Sequence, residues 1–296
     1  MSFLHQGLLP PLRIGGHEFA WGSRTYIMGV VNVTPDSFSG DGILPGHADR
    51  DGSKNIRAAL ELALRMEDEG ADIVDVGGES SRPAGVYHDA KPVAADDEIA
   101  RVVPVIDALA ARLGVPVSID TRKAAVAAAA IEAGAVLAND VSMLGDPDMA
   151  GVIADKGVAI VVSHIRPGGH KGDVVADVLD DLRSAVDSLV DAGVERSSVV
   201  ADPGIGFAKT APQSVEVMRN IPRLRSELAL PILVGTSRKS FIGSVTGEAV
   251  AHRRFGTAAT VALAVQGGVD IVRVHDVEDM ASVVKMSDAI VRGWDG

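Results

Sequence analysis

The sequence predicts an eight-fold parallel β/α barrel of the TIM type preceded by a small β-hairpin, and two observations carry that reading. One is a phrase that recurs along the chain: a helix-like segment, a Gly beside a small or branched residue, then a short apolar run. The other is that these runs end, one after another, in polar side chains. Each Gly stands where a helix stops in a left-handed turn. Each run is too short for a helix and suits a strand buried on both faces.

The phrase is legible as Glu69-Gly-Ala-Asp-Ile-Val-Asp-Val-Gly77, Leu113-Gly-Val-Pro-Val-Ser-Ile-Asp120, Ala133-Gly-Ala-Val-Leu-Ala-Asn-Asp140 and Lys156-Gly-Val-Ala-Ile-Val-Val-Ser-His164. It returns at Ala192-Gly-Val ahead of Val199-Val-Ala-Asp202, at Leu228-Ala-Leu-Pro-Ile-Leu-Val-Gly235 and at Gly267-Gly-Val-Asp-Ile-Val-Arg-Val-His275. An opening strand over Tyr26 to Val33 brings the strands to the number at which a barrel closes. Segments with helical periodicity lie between them, among them Asn55 to Glu69, Asp96 to Arg112, Val174 to Asp191 and Ala249 to Gln266. An open doubly wound sheet alternates in the same way, but no Gly-x-Gly-x-x-Gly follows the first strand. Ahead of the barrel, Leu12 to Ala20 reads as a hairpin turning at Gly15-Gly16 that closes the N-terminal mouth. The expectation is one domain over residues 1–296.

Composition narrows the function. Hydrophobic residues make up 47% and aromatic residues 3%, so Ala, Val, Leu and Ile must fill the core. A net charge of -12 opposes association with nucleic acid or an anionic membrane, which leaves a small molecule as the expected partner. The absence of Cys excludes disulfides, thiolate metal sites and Cys nucleophiles. The N-terminal segment lacks the basic and apolar pattern of a leader and no apolar run is long enough to span a bilayer, so the expected location is the cytoplasm.

In a barrel of this kind chemistry sits at the C-terminal ends of the strands. Those ends read Asn32; Glu79-Ser-Ser-Arg82; Asp120; Asn139-Asp140; His164; Asp202; Ser237-Arg-Lys239; and Arg273-Val-His-Asp276. Asp120, Asn139 and Asp202 offer acceptors and an amide to a flat aminopyrimidine edge. Arg82, Lys239, Arg273 and His275 gather positive charge on a negative protein, which suits a phosphate or diphosphate. Lys239 could instead be a Schiff-base lysine, His275 an orienting residue, and Asp276 a helix N-cap. Loops fill out the mouth: Asn32 to about Ser53, Gly77 to Pro83, and Asp202-Pro-Gly-Ile-Gly-Phe-Ala-Lys209, where Phe207 can lie against a planar ring.

Several of these phrases, in order, resemble the dihydropteroate synthase family. They are Asn32-Val-Thr-Pro-Asp-Ser-Phe-Ser39, Asp75-Val-Gly-Gly-Glu-Ser-Ser-Arg-Pro83, Ser118-Ile-Asp-Thr121, Asn139-Asp-Val-Ser142, Asp202-Pro-Gly-Ile-Gly-Phe207, Ser237-Arg-Lys-Ser240 and Arg273-Val-His-Asp276. The resemblance implies condensation of 6-hydroxymethyl-7,8-dihydropterin diphosphate with 4-aminobenzoate, with Mg2+ on the diphosphate. It implies that Asp120, Asn139, Asp202, Gly206, Phe207 and Lys239 hold the pterin. Asn32, Ser81, Arg82, Arg273 and His275 would serve the diphosphate, Asn32 also the metal. Phe38, Ser81, Pro83, Lys239 and Ser240 would face the aminobenzoate, where a sulfonamide would compete. The resemblance casts Asp120, Lys239, Arg273 and His275 as the catalytic residues, and it implies a homodimer. The chain departs from the family pattern at Ser39-Gly-Asp-Gly42, at Ser81, and after the fifth strand at Ser163-His-Ile-Arg166, where the loop runs on to Gly172. A pterin-dependent methyltransferase and a paralogue that binds pterin without turnover stand as the rival readings.

Overall fold

Strands with both faces covered need apolar residues at every position, yet the two faces meet different neighbours, and that difference organises the molecule. The computed structural model describes residues 9–34, 53–79 and 93–294. A hairpin of β1 (Leu12–Ile14) and β2 (His17–Phe19) leads into eight parallel strands: β3 (Tyr26–Asn32), β4 (Ile73–Gly77), β5 (Val117–Thr121), β6 (Leu137–Asp140), β7 (Ala159–Ser163), β8 (Val199–Asp202), β9 (Leu233–Val234) and β10 (Ile271–Val274). They pair in the order β8-β7-β6-β5-β4-β3-β10-β9, and a parallel bridge between Ala201 and Ile232 joins the two ends. The ring is therefore a barrel and not an open sheet.

Helices α1 (Ser53–Asp68), α2 (Ala95–Ala110), α3 (Ala124–Glu132), α4 (Met149–Lys156) and α5 (Val174–Asp191) fill the first connections. Two helices, α6 (Ala211–Arg219) and α7 (Ile221–Leu228), separate β8 from β9, with Pro222 at the start of the second. The helix expected over Ala249 to Gln266 is broken. A short α8 (Ser240–Thr246) ends at left-handed Gly247, a single 3-10 turn covers Val250–His252, and α9 runs only over Arg254–Gln266. Arg253 marks the break, donating to the carbonyls of Glu248 and Arg238. The final helix, α10 (Val277–Arg292), packs on α9 and returns to the foot of the barrel. There Thr25 donates to Asp288 and Arg292 donates to the Gly22 carbonyl.

Side-chain alternation splits the core in two. Ile27, Val31, Val74, Val76, Ile119, Ala138, Ile160 and Val162 face outward into the layer of helices. Their neighbours Tyr26, Met28, Ile73, Leu137, Ala159, Val161, Val200, Leu233 and Ile271 face inward and fill the lower half of the barrel. Leu12, Ile14, Phe19 and Trp21 of the hairpin join that inner cluster, so the hairpin plugs the foot. Its two-residue turn needs left-handed backbone at both positions, which Gly15 (φ 54°) and Gly16 (φ 87°) supply. With the foot packed by apolar groups, polar chemistry is confined to the other end. Among the described residues no helix is long and apolar enough to cross a membrane.

Candidate active site

The inward alternation continues above the apolar layers, now with polar residues. In register, Asn32 lies beside Gly77, Gly77 beside Asp120, and Asp120 beside Asn139, a row across four strands. A step further round, Ser163 lies beside Asp202. Gly77 is the gap in that row. A Cβ there would stand 3.5 Å from Asn32 Oδ1 and 3.6 Å from the Asp120 carboxylate, so these two groups share the space above it.

The same parity turns two strand-end residues away from the mouth. His164 points into the helix layer, where its Nε2 lies 3.0 Å from Asp181 of α5. Asp140 is consumed locally, accepting from the Ser142 and Leu144 amides and the Ser142 hydroxyl. Asp276 occupies the N-cap position of α10, but its carboxylate makes no cap bond and is taken by Arg238 at 3.1 and 2.5 Å. Arg238, in the Ser237-Arg-Lys239 phrase, is therefore paired with Asp276.

Buried charge concentrates around a residue the sequence motif contained but did not single out. Asp75, in the middle of β4, is fully buried and accepts from Asn139 Nδ2 at 2.9 Å and from Arg273 Nε at 2.7 Å. Arg273 Nη2 donates to Asp120 Oδ2 at 2.7 Å. The guanidinium thus bridges two carboxylates at the floor of the mouth, and the division into an acidic and a basic half dissolves there. Burial pushes the Asp120 carboxyl up to about 7, against the pull of Arg273 and with help from Asp75. The Asp75 carboxylate demands a donor, which fixes the Asn139 amide with its nitrogen inward. Asn139 Oδ1 is left buried with no hydrogen-bond partner among the described residues.

Across the mouth, Asp202 is oriented by the Ser163 hydroxyl at 3.0 Å and the Gly204 amide at 2.8 Å. The turn that follows approaches closely: a Cβ on Gly206 would stand 3.1 Å from Lys239. Lys239 donates to the Ile205 carbonyl and lies 4.2 Å from the centre of the Phe207 ring. Burial lowers its pKa to about 8. Ser240 begins α8 beside it, exposed. His275 Nδ1 is 3.0 Å from the Ser237 hydroxyl, which also accepts from the His275 amide. Phe38, Ser81, Arg82 and Pro83 lie outside the described residues, as does Asp41. Glu79, at the edge of that second loop, is held by Lys123 at 2.7 Å and accepts from the Val93 amide at 3.2 Å, which ties the two flanks together.

Residues 28–275 match the family model described as pterin binding enzyme. Dihydropteroate synthase of Bacillus subtilis is 45% identical over 271 residues, covering 90% of this chain and 89% of that protein. The chain belongs to the dihydropteroate synthase family. Solved synthases share its architecture: one from Clostridium difficile, crystallised in the presence of pteroic acid, superposes with a TM-score of 0.84 at 42% identity over 93% of this chain and 99% of that one. One from Xanthomonas albilineans with 4-aminobenzoic acid gives 0.84 at 38% identity over 95% of this chain and 98% of that one. The synthase reading accounts for why the polar groups cluster at one mouth.

Proposed function

We propose that this enzyme joins 6-hydroxymethyl-7,8-dihydropterin diphosphate to 4-aminobenzoate, forming 7,8-dihydropteroate and diphosphate, in the cytoplasm and within one pterin-binding domain. The observation that carries the reading is Asn139 Oδ1, a buried acceptor held in place by Asp75 and left without a donor among the described residues. A pterin's aminopyrimidine edge supplies such N–H groups. Asp202, its carboxylate fixed by Ser163 and Gly204, is the second acceptor, and Phe207 offers a face for the ring. Lys239 donates to the pterin when it leaves the Ile205 carbonyl. Ring nitrogen donation and the nearby Asp120 carboxylate stabilise the positive charge that develops at the methylene.

Departure of the diphosphate requires positive charge near the leaving oxygens. Arg273 and His275 stand at the end of one strand, and their role is to take up that charge. The amine of the aminobenzoate attacks the methylene, so no side chain is alkylated, and Lys239 need not form a Schiff base. The loops bearing Phe38, Ser81, Arg82 and Pro83, with Ser240, would enclose the amine and exclude water, which would otherwise capture the methylene.

The donor set fits Mg2+. Among the described residues no cluster of three carboxylate or imidazole groups could hold a metal. A hard cation bound mainly through substrate phosphate and water needs little more than one protein oxygen, and Asn32 Oδ1 stands at the mouth beside Asp120. Bound there with the substrate, Mg2+ would neutralise diphosphate charge.

A homodimer is part of the same reading. Phe255 and Leu263 of α9 and Met286 and Ile290 of α10 are 81%, 62%, 62% and 73% exposed. They recur at helical spacing on two helices that pack together, an apolar face of the kind that marks an interface.

Incubating the protein with both substrates and Mg2+ and following diphosphate release together with pteroate formation tests the reaction. Stoichiometric appearance of both is expected. Saturable pterin binding without product would replace this reading with that of a binding paralogue.

A further inference from the structure

A set of titratable side chains under the Gly204–Ala208 turn has no part in the reaction above. Lys209 Nζ lies 2.8 Å from His164 Nδ1, 3.0 Å from the Gly204 carbonyl and 3.3 Å from the Phe207 carbonyl. An ammonium has three N–H donors, and here each has a partner, so none remains for a substrate. Because His164 Nδ1 accepts from the ammonium, its Nε2 carries the hydrogen and donates to Asp181. Burial lowers the His164 pKa to about 3, which keeps the ring neutral and available as an acceptor. Arg166 holds Asp181 in turn through two bonds of 2.8 Å. A continuous chain of hydrogen bonds therefore runs from α5 in the outer layer to the backbone of a turn at the mouth.

That turn requires support. Gly204, Gly206 and Ala208 all have left-handed backbone, with φ of 65°, 80° and 48°, and the last has a side chain that disfavours it. Gly204 is pressed so closely on His164 that a Cβ would stand 1.9 Å from the His164 carbonyl oxygen. Two lysines grip the turn. Lys239 takes the Ile205 carbonyl from the mouth, and Lys209 takes the carbonyls on either side of it from the helix layer. Burial also pushes the Lys209 pKa down to about 7, as for an ammonium enclosed for its hydrogen bonds rather than facing solvent.

We infer that Lys209, oriented by His164 and Asp181, is a positioning residue for the pterin half of the site: it fixes the turn that carries Phe207 and the Ile205 carbonyl, and so sets where Lys239 and the ring face stand. The inference rests on the reading of that turn as a wall of the pterin slot. It also gives the extended loop from Ser163 to Gly172 a purpose, since that loop supplies Arg166.

Lys209→Met tests it, with calorimetric titration of the pterin diphosphate in the presence of Mg2+ and steady-state kinetics for both substrates. Loss of the hydrogen bonds that hold a turn lining the pterin slot should raise Kd and KM for the pterin substrate about tenfold. The KM for aminobenzoate, which this turn reaches only through Lys239, should rise by less, about threefold at most, so that the loss falls mainly on pterin binding. Asp181→Asn, which leaves the lysine but loosens His164, should move pterin KM in the same direction by less. If Lys209→Met does not fold, Lys209→Gln, with a shorter neutral donor, is read against the same expectation. Unchanged pterin affinity in a folded variant would overturn the inference, as would equal losses for both substrates. Failure of the wild-type protein to bind pterin would instead remove the reading of the slot itself.

Discussion

Arg273 is shared between two buried carboxylates, and the sharing sets how the site responds to pH. Asp120 holds its proton up to about pH 7 in the folded chain, whereas an unfolded aspartate releases it near 3.8. A carboxyl raised in this way contributes stability in full below the unfolded value and loses it as pH rises through the folded one. Asp120→Asn cannot titrate. Melting curves of the ligand-free proteins between pH 4 and pH 8 should therefore show the variant gaining on the wild type as pH rises to about 7 and holding level beyond. Parallel curves would refute the assignment. Much at this scale was open to reading from the sequence. A period of two along each strand puts Asp140 on the face opposite to Asn139, and His164 on the face opposite to Ser163. Asp75 lies in the middle of its strand, below the strand ends where a barrel's chemistry is expected. An acid flanked by Ile73, Val74 and Val76 was the available signal. Its bond to Arg273 was not legible, because it joins residues far apart in sequence that meet only when the barrel closes.

Among the elements, the short turns carry more constraint than the helices. Gly204 and Gly168 both have left-handed backbone, yet a Cβ at Gly204 collides with the His164 carbonyl while one at Gly168 meets nothing within 4 Å. Gly168→Ala should cost about 1 kcal/mol, the conformational term alone. Gly204→Ala should cost about 3 kcal/mol or more, adding overpacking against rigid backbone, and should abolish pterin binding. Urea midpoints of the two variants check the contrast; equal shifts would contradict it. The strands, α5 and the Gly15-Gly16 turn follow from sequence because local periodicity and left-handed glycines determine them. The break before α9 did not, because it depends on Arg253 reaching the carbonyls of Glu248 and Arg238.

At the scale of the whole molecule, the hairpin, the apolar lower layers and the polar upper row form a sequence along the barrel axis. It runs from sealed foot to reactive mouth. The chain carries a net charge of -12, while the mouth keeps Arg273, Lys239 and His275 close to its carboxylates. The apolar face of α9 and α10 lies on the outer wall. Phe255→Glu with Ile290→Glu should yield monomers in sedimentation velocity with pterin affinity retained, since neither residue belongs to the mouth. A dimer that persists would remove this face from consideration. Recurrent Gly phrases made the barrel legible, but a surface stripe of this kind carries no signal that separates an interface from a buried helix face.

The joint between β8 and β9 is the thinnest in the ring, a two-residue strand meeting its neighbour at the Ala201–Ile232 bridge. Asp202 follows directly on one lip, and Ser237 to Lys239 follow on the other. The weakest seam of the closed barrel therefore lies beside the proposed slot, and a flat ligand held by Asp202 and Lys239, as proposed, would span it. Substrate binding would then reinforce the barrel at the one place where its own hydrogen bonds are fewest.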